Sequence, residues 1–298
     1  MRTGILAICL VVLCACNREE EPNTTRGKLF MLATDSYLPL MTKEADEFMA
    51  EYNRTNVRMA GTTTREAIVA LLNDSVRCIC VDRSLNAEER KVVQDAKINL
   101  ATVRIGRDAL VFIVSDQNSL KTANLETLKL ILEKSIVNWR NVPGSRTSGV
   151  LELITTGKNS GTQEMLQRRF FSLSKDMVPT MTGATEKEIV QYVAINPKAL
   201  GIVSFATMVG HPKGAHMLAI ETTDSTSQKR VVDPNQSTIY EELYPLHFSL
   251  YLYISEEKLS VGSGFSTFVM TLPGQQIIQD FGLAPEIVPS RIIQLKSE

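Results

Sequence analysis

The sequence predicts an α/β fold of two lobes joined by a hinge, each lobe a mixed sheet flanked by helices. Three observations predict it. From residue 28 onward, short apolar runs alternate with amphipathic helical patterns, the order that builds a sheet with helices on its faces. A strongly apolar run, Leu110–Val114, is suited to carry the chain from one lobe into the next. The 298 residues, 44% of them hydrophobic, suffice for two cores of ordinary size.

In chain order, Lys28–Thr34 reads as a buried strand and Pro39–Tyr52 as a helix with Leu40, Met41, Ala45, Phe48 and Met49 inward. Val57–Ala60 is a second strand, and Thr64 or a neighbouring threonine caps a helix through Asn73. Arg77–Val81 and Ala87–Ala96 complete a βαβαβα series whose helical crossovers favour parallel strands. The second lobe should hold helix 124–134, strand 150–155, helix 162–171, helix 185–195 and strand 201–205. Residues 210–236 read as loop-rich, Phe248–Ile254 as a late strand, and helices near 262–271 and 274–282 finish the first lobe. The expected partition is 28–106 with 225–298 for lobe one and 107–224 for lobe two.

The N-terminus carries a different signal. Met1-Arg2-Thr3 precedes an apolar run, Ile5–Leu13, that is too short to span a bilayer, which takes roughly 20 residues. A basic start, a short apolar stretch and a small residue before a break read as a secretory signal over 1–15. Leu13-Cys14-Ala15-Cys16 resembles the lipobox of bacterial lipoproteins, which implies lipidation of Cys16. The polar segment to Thr25 suits a tether, placed at 16–27, between a membrane and the folded part. Cys78 and Cys80, two apart in a strand, face the same way and read as buried thiols.

A formal net charge of −1 argues against bulk nucleic-acid binding. Chemistry instead gathers in small polar loops after strands. Thr34-Asp35-Ser36, Thr62-Thr63-Thr64 within Gly61–Thr64, and Asp82-Arg83-Ser84 follow the first three strands. Gly157–Thr162, with Lys158, Ser160, Gly161 and Thr162, joins a strand to a helix start, where backbone N–H groups favour an anion. Each loop could be an ordinary N-cap. Together, at strand ends, they favour one shared cleft for a small oxyanion.

With those loops in place, the chain resembles the phosphate-binding proteins of ABC transporters, within the periplasmic substrate-binding superfamily, over about 28–285. The residues that carry the likeness are ATDSYLPLM (33–41), VDRSL (81–85), IGRDALVFIV (105–114), SIVNW (135–139), NSGTQEML (159–166), YPLHFSLYLYI (244–254) and LPGQQIIQDFGLAP (272–285). The resemblance implies a two-lobed periplasmic-binding-protein-like fold. It also implies a monomer outside the cytoplasmic membrane that hands phosphate to an ABC permease. It assigns ligand contact to Thr34, Asp35, Ser36, Thr62, Thr63, Thr64, Asp82, Arg83, Ser160, Gly161 and Thr162. The family usually places Arg and then Asp before Ser-Gly-Thr, the Asp accepting the proton of hydrogen phosphate, and this chain has Thr156 and Lys158 there. Asp35 or Asp82 could supply the acceptor, and Lys158 with Arg83 the cation. Sulfate, molybdate or an organic anion is the alternative ligand, and a sensor or adhesion lipoprotein that keeps the fold is the alternative role.

Other features read as structural. Trp139 and the Tyr244–Tyr253 aromatics suit packing, and Arg107-Asp108 suits a hinge. His211, His216 and His247 share no metal spacing, so neither metal nor cofactor is expected. Ser160 beside Lys158 lacks the elbow of a hydrolase nucleophile, so the chain is read as a binder and not an enzyme.

Overall fold

The first strand, Arg26–Thr34 (β1), buries Leu29, Met31 and Ala33 and turns Lys28 and Phe30 outward, the period of two of a half-covered strand. The computed structural model describes residues 23–171, 177, 179–210, 212–223, 228–255 and 259–288. After β1 come Leu38–Glu51 (α1), Arg54–Thr62 (β2), Thr64–Leu72 (α2), Cys78–Val81 (β3) and Ala87–Asp95 (α3). Pro39 sits in the first turn of α1, where its missing N–H costs nothing. Thr63 and Asn86 cap α2 and α3, and Glu66 and Glu89 close the two capping boxes. β1 pairs parallel with both β2 and β3, as the helical crossovers require.

Ala101–Ser115 (β4) leads into Thr122–Asn124 (β5), Leu125–Leu132 (α4), Glu152–Thr156 (β6), Gly161–Phe170 (α5), Met181–Gly183 (β7), Glu186–Ile195 (α6) and Ala199–Ser204 (β8). Then follow Phe205–Met208 (α7), Ala215–Met217 (β9), Ala219–Thr223 (β10), Lys229–Val232 (β11) and Gln236–Tyr240 (α8). His247–Ile254 (β12), Val261–Val269 (α9), Leu272–Asp280 (α10) and Ala284–Pro285 (β13) complete the series.

β4 belongs to both lobes. Its first part, Ala101–Ala109, pairs antiparallel with β12, and Leu110–Val114 pairs antiparallel with β8. The strand order β2-β1-β3-β12-β4-β8-β6-β7 therefore passes from one lobe to the other along a single strand. Each lobe thus has a mixed sheet flanked by helices, the predicted architecture. The stretch 210–236, expected as loop, holds β9, β10 and β11. β11 pairs with β10, which pairs with β5, so Lys229–Val232 is tied to a small second sheet built with strands from the 107–224 segment. These strands are short and β11 is largely exposed, so no apolar alternation marked them.

The C-terminal helices α9 and α10 pack against α1. The Phe48 ring of α1 lies 5.5 Å from Phe265 and 5.6 Å from Phe268 of α9. In lobe two, Trp139 is fully buried and donates from Nε1 to the Lys198 carbonyl at 2.8 Å. Cys78 and Cys80 are both buried and are not joined in a disulfide. No helix among the described residues is long and apolar enough to cross a membrane. The signal segment, Cys16, His211 and most of the tether lie outside the described residues.

Candidate functional site

Parallel strands end on one edge, and here that edge faces the other lobe. β1 and β2 stop in register at Thr34 and Thr62, so their loops lie side by side. Across from them the loop after β6 starts α5. Between the lobes is a cleft of about 310 Å³. Thr34, Asp35, Ser36, Thr62, Thr63 and Asp82 line one side, and Lys158, Ser160, Gly161 and Thr162 the other. Thr156, Gly157, Asn159 and the segment Gly183–Glu186 complete the wall. Ligands of open α/β sheets collect at such strand ends.

Close approach explains two glycines. A Cβ on Gly61 would run into Asp35 Oδ1, and one on Gly161 would enter the Asp82 carboxylate. Asp82 is buried at the tip of β3 and accepts from Thr64 Oγ1 at 2.7 Å. Because Thr64 spends its only proton there, Thr34 is the donor in the 3.1 Å hydroxyl pair between them. The Gly161 N–H, at the start of α5, donates to the same Thr64 oxygen at 3.2 Å from the opposite lobe. Burial pushes the Asp82 pKa up to about 6; the Thr64 bond and Arg83 work against that rise, and Glu186 adds to it. Asp35 is raised as well, first by burial and then by Glu66.

Ser160 caps α5 by accepting from the Gln163 N–H at 3.1 Å, and its hydroxyl meets Thr156 Oγ1 at 2.5 Å. Thr62 and Thr63 donate to Glu66 Oε2 at 2.8 and 2.9 Å. Thr162 Oγ1 donates to Glu186 Oε1 at 2.7 Å. Glu186 Oε2 accepts from Ser36 Oγ at 3.0 Å, Ser204 N–H at 3.0 Å, Ser204 Oγ at 2.5 Å and Thr207 Oγ1 at 2.6 Å. Hydroxyls rotate, so those that line the cleft, on Ser36, Thr62, Thr63, Ser160 and Thr162, can be redirected to a ligand oxygen. Glu186 was not legible as a site residue. An acid directly after the Thr185 cap reads as an ordinary complement to a helix N-terminus.

Two predicted contacts fall outside the cleft wall. Thr64 stands behind it, holding Asp82. Arg83 lines a neighbouring groove of about 440 Å³ between α2, α3 and α5. Its guanidinium bonds Glu89 at 2.7 and 2.8 Å, and its Nε lies 2.5 Å from Glu164 Oε2 of α5. Arg83 therefore joins the lobes beside the cleft and does not line it; two carboxylates at short range outcompete an open loop position. Lys158 lines both spaces. At the hinge, buried Asp108 accepts from Tyr37 OH at 2.8 Å and from the Ala206 N–H at 3.2 Å, tying lobe one to lobe two. Burial raises Asp108 to about 7. Arg107 turns the other way, to Glu242 at 3.1 Å. His216 pairs with Asp116 at 3.2 Å and His247 with the Tyr244 carbonyl at 2.8 Å. No group of three or more His, Cys, Asp or Glu among the described residues could hold a metal ion.

The chain is similar to known binding proteins. Phosphate-binding protein PstS of Borreliella burgdorferi is 24% identical over 247 residues, spanning 80% of this chain and 84% of its own. Phosphate-binding protein PstS of Staphylococcus saprophyticus is 20% identical over 285 residues, spanning 95% and 86%. A Clostridium perfringens crystal structure with bound phosphate shares the fold at a TM-score of 0.75 and 19% identity, over 87% of this chain and 99% of that one. An ABC-type phosphate transport receptor from Vibrio cholerae does so at 0.66 and 19%, over 86% and 99%. The model of the PBP superfamily domain matches residues 18–271, most of the sequence that builds both lobes and the cleft between them, and the chain belongs to that superfamily.

Proposed function

We propose that this chain is the solute-binding component of an ABC importer and captures phosphate between its lobes. The observation that carries this reading is the convergence of hydroxyl loops from β1 and β2 on the N-terminus of α5, where Ser160, Gly161 and Thr162 face them. Neutral donors and a helix start are the chemistry that holds a small oxyanion, with Lys158 as the cation in the wall. The PstS relatives support phosphate in particular. Thr34, Asp35, Ser36, Thr62, Thr63, Lys158, Ser160, Gly161 and Thr162 are its contacts, and Asp82 is the carboxylate that receives the ligand's proton. Arg83 and Thr64 support the site from behind. Lobe one comprises the chain to the middle of β4 together with α8 onward, and lobe two the part between. The protein works as a binder, as a monomer, outside the cytoplasmic membrane, anchored through lipid at Cys16 and partnered by a permease.

Titration of ligand-stripped protein with phosphate and sulfate tests the reading. Hydrogen phosphate can donate to Asp82, whereas sulfate meets it with lone pairs only, and such sites discriminate by about 10⁴-fold or more. At 100 times its dissociation constant, phosphate should add roughly 2.7 kcal/mol of stability. Asp82→Asn should narrow the gap between the anions. Equal binding of both would replace phosphate selectivity with a general oxyanion site, and binding of neither would remove the transport reading.

A further inference from the structure

The two carboxylates on lobe one's side of the cleft stand at adjoining strand ends. β1 and β3 pair in parallel with Ala33 opposite Cys80, so Asp35 and Asp82 each follow two positions beyond that pair, on strands about 4.8 Å apart. They reach different parts of the wall they share. Asp35 Oδ1 lies over Gly61 at the end of β2, and the Asp82 carboxylate lies against Gly161 at the start of α5. Asp82 accepts from Thr64. Asp35 accepts no hydrogen bond among the described residues, and its charged neighbour on lobe one is Glu66 of α2. Glu186, the third carboxylate of the wall, differs. The Ser204 N–H and the Ser204 and Thr207 hydroxyls, none of which lines the cleft, hold it even when Ser36 and Thr162 turn to a ligand. Positive charge is scarcer. Lys158 is the cation among the lining residues. Arg83 is committed to Glu89 and Glu164, and Lys187 stands with Asp35 on the wall of the adjoining cavity instead. Burial holds Tyr37 and Cys80, further titratable neighbours of Asp82, in their neutral forms.

We propose that Asp35 is a second proton acceptor beside Asp82, so that the cleft selects the singly charged dihydrogen form of phosphate. The inference rests on reading the cleft as a phosphate site. Dihydrogen phosphate carries two P–OH groups, one for each carboxylate, and leaves two bare oxygens for the hydroxyls, the start of α5 and Lys158. Asp35 is exposed to water in the open part of the cleft, and a ligand P–OH takes the place of that water. Hydrogen phosphate carries one P–OH. On the same wall it would set lone pairs against the second carboxylate and add a further negative charge where three carboxylates face one lysine.

Calorimetry of ligand-stripped protein at pH 8, with inorganic phosphate in two buffers of different ionisation heat, counts the protons taken up on binding. Free phosphate at that pH is mostly the dianion, so wild type should take up about one proton per phosphate bound. Its affinity for total phosphate should fall by about tenfold per unit between about pH 7.5 and 9. Asp35→Asn offers an amide donor in place of the acceptor. It should take up almost no proton, show a nearly level affinity over that range, and bind at pH 8 at least as tightly as wild type. Binding by wild type without proton uptake would overturn the proposal. So would an uptake that Asp35→Asn retains, which would assign the proton to another group, or a loss of binding at pH 8 in that variant. Should Asp35→Asn fail to fold by circular dichroism, Asp35→Ser decides by the same count. Failure of wild type to bind phosphate at all would instead overturn the functional reading.

Discussion

Removing the charge of Glu164 should loosen the closed state without touching the ligand. Arg83 and Glu164 meet across the lobes at 2.5 Å, with side-chain exposures of 4% and 27%. Glu164→Gln leaves Arg83 its bidentate Glu89 partner, so no buried charge is stranded. Unit charges about 4 Å apart attract by roughly 4 kcal/mol at an effective dielectric near 20, before desolvation and side-chain entropy take their share. The contact lacks the alignment of a hydrogen bond, so charge alone carries it, and with Glu164 partly exposed the net loss is roughly 1–2 kcal/mol. If the ligand is held only by closed lobes, the loss appears in full in phosphate affinity, a weakening of about 5- to 30-fold. Calorimetry on stripped protein reads it, and the effect should shrink with added salt because Glu164 is partly exposed. Arg168→Ala is the control, since Arg168 pairs with the same Glu164 on the exposed face of α5. Affinity unchanged within about twofold, with a lowered melting temperature, would show that the pair persists in the open state and would refute the reasoning.

Ser160→Ala and Thr162→Ala each delete a hydroxyl that lines the cleft, and calorimetry should find phosphate binding weakened by roughly 10- to 100-fold per substitution. Glu44 of α1 is fully buried, neither carboxyl oxygen has a hydrogen-bond partner among the described residues, and burial raises its pKa to about 9. The folded chain therefore holds a proton that the unfolded chain releases above its ordinary value of 4.5, so this group's penalty is absent at low pH and grows as pH rises toward 9. At about 1.36 kcal/mol per unit, Glu44→Met should raise stability in urea melts by up to about 5 kcal/mol at pH 8 but by less than about 1 kcal/mol at pH 5; a gain equal at both pH values would show that Glu44 does not titrate this way. Cys16→Ala should shift the protein out of the membrane fraction or leave it unprocessed, read by fractionation and mass, and normal processing with full membrane retention would remove the lipid anchor.

How much could be read from the sequence depended on whether a residue's surroundings were local. The series β1 to α3 was legible because alternation, capping and turn residues all act within a few positions. β10 and β11 were not, because a short exposed strand is defined by its partner and carries little pattern of its own. Arg83 shows the same limit in the site. Its loop position was readable, but the direction of a long side chain is set by Glu89, six residues on, together with Glu164, far away in sequence and placed by the meeting of two lobes. Glu186 is the converse case, an acid with a sufficient local explanation at a helix start whose principal contacts are Ser36, Thr162, Ser204 and Thr207.

Capping and ligand binding are rival roles for the hydroxyl loops on sequence grounds, yet the structure does not separate them. Ser160 caps α5 and lines the cleft; Thr63 caps α2 and lines it from the other side. Both roles follow from one cause. Strand ends point their loops at the cleft, each helix begins in such a loop, and its first free N–H groups face the same space as the hydroxyl that caps them. The carboxylates follow the same logic. Asp35, Asp82 and Glu186 share the wall with Lys158, so the cleft has no large excess of positive charge to draw an anion in. An oxyanion must be held by directed donors, and the carboxylates penalise any ligand that arrives with lone pairs and no proton to share. A site built this way depends on orientation more than on charge. On the proposed reading, then, Thr64 and Glu186, which hold Asp82 and Thr162 in place, matter as much as the groups that meet the ligand.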